Sequence, residues 1–165
     1  MDELLSGSAE DAAAAALADP PLLGDLLEAM RSHDPGVRAR AADAAERVVR
    51  ERAELLAPRA DALIEIAAQA QDRSLRLPIA QMLARVELSD ERAQQATDAL
   101  ASYLEDDENA SVQAWALSAI VAIANDHPAL REHAAQLVHE RAESDAEPLR
   151  ERARMLLAQA EAWPS

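Results

Sequence analysis

The sequence predicts an all-helical chain made of stacked helix pairs, on three observations. Half of the 165 residues are hydrophobic, mostly alanine with leucine and valine behind it, while glycine occurs 3 times. That composition favours helices and leaves little material for hairpins or phosphate-cradling loops. Apolar residues recur at spacings of three and four, the signature of a helix with one buried face. Finally, one short motif returns four times: Asp34-Pro-Gly-Val37-Arg38, Asp72-Arg-Ser-Leu75-Arg76, Asn109-Ala-Ser-Val112-Gln113 and Asp145-Ala-Glu-Pro-Leu149-Arg150. Its apolar anchors Val37, Leu75, Val112 and Leu149 stand 38, 37 and 37 residues apart, a spacing in the range of helical repeat arrays.

Residues 1–19 open with Ser8-Ala-Glu-Asp11, a capping box ahead of an alanine run, so a capping helix is expected there. Four repeats follow, at about 20–53, 54–88, 89–126 and 127–163, within a single domain, 1–165. Each has a first helix, marked by Leu22, Leu26, Leu27 and Met30; by Leu55, Leu63, Ile64 and Ala67; by Ala96, Leu100, Tyr103 and Leu104; and by Leu130, Ala134, Leu137 and Val138. Each anchor then opens a second amphipathic helix. Asp34, Asp72, Asn109 and Asp145 sit where an N-cap oxygen would accept from the free amides of the second helix. Pro35 falls just after its cap, where proline is harmless, and Pro20, Pro58 and Pro128 lie near the starts of first helices. Pro78 falls inside a second helix, where a kink or a late start is expected. Pairs of this kind cannot bury their apolar stripes alone and must stack on their neighbours. A plain bundle gives no reason for the fixed turn motif, and a coiled coil would need heptads that are absent.

An apolar helix, an Asp-containing turn, then Val-Arg followed by alanines: over residues 20–162 this pattern resembles the HEAT-repeat (armadillo-like) family, most clearly at Asp34 with Val37-Arg38. The third unit departs from it with Asn109 and Gln113, and the fourth displaces its Asp by one position. The resemblance implies a right-handed α-α superhelix (solenoid) of about four HEAT-like helix pairs plus the N-terminal cap. It also implies second helices lining a concave face, and arginines that pair with the turn aspartates of adjacent units.

Charge and composition bound the function. Sixteen basic residues, all arginine, face 31 acidic ones for a formal charge of −15, which disfavours nonspecific attraction to nucleic acid or anionic lipid. Abundant acid, no lysine and small apolar residues resemble the cytoplasmic proteins of salt-accumulating halophiles; an acidic protein of a GC-rich mesophile is the alternative. Zero cysteine excludes disulfides, thiolate metal sites and thiol nucleophiles. No run approaches the roughly 20 apolar residues of a membrane span, and the acidic start is unlike a secretory signal; a soluble cytoplasmic protein is expected. His33, His127, His133 and His139 form no ligand spacing and read as solvated surface. Glu105-Asp106-Asp107-Glu108 reads as a hydrated loop. No metal, cofactor or catalytic residue is expected.

Partitioned by helix, the acidic charge falls on the tail, the first helices and the turns, leaving the second helices neutral to basic. The expected function is therefore that of a noncatalytic protein–protein interaction scaffold. Its inner face would offer Arg38, Arg40, Arg47, Arg76 and Arg150 around Trp115 to an extended acidic segment of another protein, because arginine forks match carboxylates. Trp115, equivalent to Arg40, Pro78 and Arg152, either fills a gap beside Leu77 or stands on the binding surface. Two rivals rest on resemblance: some alkyl-purine DNA glycosylases share this architecture and grip the nucleic-acid backbone from a basic concave face, and bilin-attachment lyases are built of similar repeats. Self-association through Trp163 or the last helix is a further alternative.

Overall fold

The computed structural model describes residues 3–164. It is all-helical, 77% helix, and among the described residues there is no strand. None of these helices is long and apolar enough to cross a membrane. The helices are α1 (Ala9–Ala18), α2 (Leu22–Ala29), α3 (Pro35–Glu51), α4 (Ala60–Gln69), α5 (Arg73–Leu83), α6 (Asp90–Asp106), α7 (Ala110–Asp126), α8 (Arg131–Arg141) and α9 (Glu147–Glu161). They gather into two compact units, one running through Glu87 and one from Leu88. The boundary falls between the second and third of the four sequence repeats.

In the first unit α1 and α2 pack on α3, α3 packs on α5, and α4 on α5. Alanine makes this closeness possible: Ala41, Ala44 and Ala45 of α3 and Ala16 of α1 have no exposed surface, so helix backbones meet with little side chain between them. Leu23, Leu26, Leu63, Ile79 and Leu83 fill the remaining space and are equally inaccessible. Each such side chain contributes on the order of 1.5–3 kcal/mol relative to exposure. The second unit repeats the scheme with α6 on α7, α7 on α8, and both α7 and α8 on α9. Val112, Ala116, Leu117, Ala119 and Ile120 form its buried stripe on α7, and Tyr103 of α6 is fully enclosed.

The caps follow the sequence in part. Ser8 and Asp11 form the expected reciprocal box, with Ser8 Oγ accepting from Asp11 N at 3.0 Å. Asp34 Oδ1 accepts from Gly36 N and Val37 N, and Asn109 Oδ1 from Ser111 N and Val112 N. Asp72 occupies its N-cap but makes no capping bond, because its carboxylate pairs with Arg38 instead. Asp145 is displaced: Ala146 is the N-cap residue, since α9 begins at Glu147. Pro78 delays nothing; α5 starts at Arg73 and carries the proline at its sixth residue. Pro58 and Pro128 sit in short 3-10 turns, Ala57–Arg59 and Pro128–Leu130, that precede α4 and α8 and postpone them.

Candidate binding surface on the second helices

The most regular polar feature of the molecule is a bond from the residue after each anchor back to the carbonyl six positions earlier. Arg38 Nη1 donates to Ser32 O (2.9 Å), Arg76 Nε to Ala70 O (2.9 Å), Gln113 Nε2 to Asp107 O (2.8 Å) and Arg150 Nη1 to Ser144 O (3.0 Å). These carbonyls belong to the inter-helix turns, where no helical amide follows to satisfy them. In three of the turns a second bond adds to the first: Ser32 Oγ accepts from Asp34 N, Asp107 Oδ1 from Asn109 N, and Ser144 Oγ from Ala146 N. Gln113, a departure by residue type, is thus no departure in geometry; its amide reaches the same acceptor as the guanidinium.

This lock decides where three of the six candidate residues point. Arg76 is 4% exposed and turned into its own turn. Arg38 adds a 3.2 Å bond to His33 O and a 2.8 Å ion pair with Asp72 of the following helix pair, the pairing the family resemblance implies. Arg150 also donates to Asp145 O. Each of the three is thus drawn to its turn carbonyl, and Arg38 also to the Asp72 carboxylate.

Arg40 and Arg47 do stand on that surface in the first unit. Arg40 is exposed and makes no polar contact with any described residue. Arg47 is tied to Asp43, one turn away in α3, at 3.2 Å. Between α3 and α5 runs a groove of about 400 Å³ walled by Asp43, Glu46 and Arg50 on one side and by Arg73, Leu77 and Pro78 on the other. The Glu46 side chain is only 4% exposed and is held by Arg50 and by Arg85 Nη1 at 3.0 Å. The hydrogen bonds that Arg50 donates to Glu46, then the negative charge of that carboxylate, raise the Arg50 pKa above its already high ordinary value. Arg73, by contrast, has an exposed side chain with no partner among the described residues. Sequence reasoning passed over it because it precedes the recurring anchor; its place as first residue of α5 at the groove wall was the available signal.

In the second unit Trp115 is half-buried beneath Arg152 of α9, whose guanidinium carbon lies 5.0 Å from the ring centroid. Arg152 Nη1 also donates to Ser118 Oγ at 2.6 Å. A second indole, Trp163, donates to Asn125 Oδ1 at 2.8 Å and lies under Arg131. His127 differs from the solvated histidine expected: its side chain is 11% exposed and Nδ1 lies 2.7 Å from Asp90 Oδ1. Among the described residues no group of three or more His, Cys, Asp or Glu converges as a metal site would. Comparison of the chain with protein-family models, curated proteins and solved structures gives no match.

Proposed function

We propose that the chain is a noncatalytic interaction scaffold, its four helix pairs continuing as a right-handed solenoid similar to HEAT repeats and its second-helix face holding an extended acidic segment of a partner protein. The observation that carries this reading is the recurrence of one turn lock in all four helix pairs. Together with the stacking of successive pairs inside each unit, it makes the helix pair a building block that presents surface. The preference for acid rests on Arg40 and Arg73, exposed cations with no partner among the described residues, and on Arg47, whose solvent-exposed pair within α3 contributes only a few tenths of a kcal/mol and is readily exchanged. Nucleic acid is the weaker reading, because the backbone contacts that grip it need a clustered excess of basic charge.

The test is binding of a labelled oligoglutamate, compared with oligolysine and duplex DNA, to the native chain and to the R40E/R73E double variant. The proposal expects saturable binding of oligoglutamate alone, weakened by salt and abolished by the double charge reversal. Equal binding to the variant, or a preference for DNA, would overturn it.

A further inference from the structure

Arg152 is the best-prepared cation in the molecule. Its guanidinium is stacked over Trp115 and pinned through one nitrogen to Ser118, so its orientation is fixed before any ligand arrives. Arginine stacked on an aromatic plane keeps its edge N–H groups for hydrogen bonding, and a fixed fork loses less entropy when it closes on a carboxylate. The remaining donors of Arg152 have no acceptor among the described residues. One helical turn further along α9, Met155 is 75% exposed, the large hydrophobic side chain left in solvent among the described residues. A flexible thioether held in water three residues along the helix from an arginine that is itself stacked on an indole is the composition of a contact centre rather than of an ordinary helix surface.

We infer that Trp115, Arg152 and Met155 form a docking point in the second unit for a partner segment that pairs one carboxylate with one apolar side chain. The carboxylate would take the open edge of the Arg152 fork, and the apolar group would cover Met155. The spacing also fits the extended form of the acidic segment proposed above. Side chains three apart on a helix stand about 5–6 Å from each other, and in an extended chain residues two apart share a side at about 6.6 Å. An extended strand with an acidic residue and a leucine two positions apart therefore matches the pair. This deepens the acidic-segment reading above but rests on residues of the second unit alone, so the R40E/R73E test can fail while this one succeeds, and the reverse.

The chain has two tryptophans, so a W163F background leaves Trp115 as the sole indole reporter. Its emission is followed while a capped peptide carrying Glu and Leu two residues apart, or its Gln–Leu counterpart, is added. The expected result is a saturable change with the Glu peptide and binding of the Gln peptide about tenfold or more weaker, the ratio set by one charge-assisted contact. R152Q should erase the difference between the two peptides, and M155A, a fully tolerable surface change, should weaken both. Equal binding of the two peptides by the W163F protein, discrimination that survives R152Q, or binding indifferent to M155A would overturn the inference. A thermal melt of each variant confirms that it is folded when tested.

Discussion

The two units join their helix pairs by different chemistry. In the first, the polar contacts between successive pairs include three ion pairs at the surface of an apolar seam: Arg31 with Glu65, Arg38 with Asp72, and Glu46 with Arg85. In the second, the ion pair of Arg141 with Glu105 is accompanied by an Arg152–Trp115 stack, an indole bond from Trp163 to Asn125, and His127 against Asp90. Inside every pair, however, the turn is closed by the same bond to the same carbonyl. The difference shows which features the backbone dictates. A turn carbonyl at a fixed place needs a donor of fixed reach, and arginine or glutamine serves. Contacts between neighbouring pairs are made by long side chains at the surface, where many combinations suffice.

The largest effect that would sharpen this contrast comes from removing a lock that is also buried. Arg76→Ala leaves the Ala70 carbonyl without its bond and opens a cavity where a buried side chain lay. A loss of roughly 2–4 kcal/mol in urea unfolding is expected. Next, Trp163→Phe keeps the ring but removes the N–H to Asn125 and weakens the Arg131 contact, costing about 1 kcal/mol, seen as reduced amide protection in α7 and α9.

The helices were legible in the sequence because burial imposes its period on a stripe; Val112, Ala116, Ala119, Ile120 and Ile123 are all buried as that period requires, while Val37, Leu156 and Leu157 of other stripes are half-buried. The caps were legible only where the residue type and the backbone agreed. Asp34 and Asn109 cap, but Asp72 has a competing arginine within reach from another pair, and the later start of α9 leaves Asp145 outside its helix. Neither circumstance is encoded within a few residues of the aspartate. The candidate surface was legible to the same limited degree. Arg38, Arg76 and Arg150 were recognisable as recurrent, but recurrence marked a structural bond; of the two arginines without a partner among the described residues, Arg40 recurs only at Arg152 and Arg73 has no counterpart in the other units. The pairing of Trp115 with Arg152 depends on the approach of α7 to α9, which no local pattern states.

A smaller effect separates the units by salt. Raising ionic strength screens exposed ion pairs, so amide protection of α3 and α5 should fall relative to that of α7 and α9, by about 1 kcal/mol or less. Equal responses would contradict the ionic character assigned to the first unit. The smallest effect concerns pH. The Glu54 carboxyl is held below its ordinary range by its own backbone amide and then by Arg52. A depressed carboxylate adds stability above its ordinary titration range, and this is lost as pH falls through the lowered value. Because Glu54 is fully exposed, Glu54→Gln should give an acid-unfolding curve superimposable on that of the native chain.

The most direct test of the recurrent lock is the unfolding free energy of Gln113→Arg beside Gln113→Ala. If one donor geometry closes all four turns, arginine at position 113 will reach the Asp107 carbonyl and hold stability within about 0.5 kcal/mol of the native chain, while alanine loses about 1–2 kcal/mol. Equal losses from both substitutions, or none from either, would mean that the bond to the sixth preceding carbonyl is incidental to the fold.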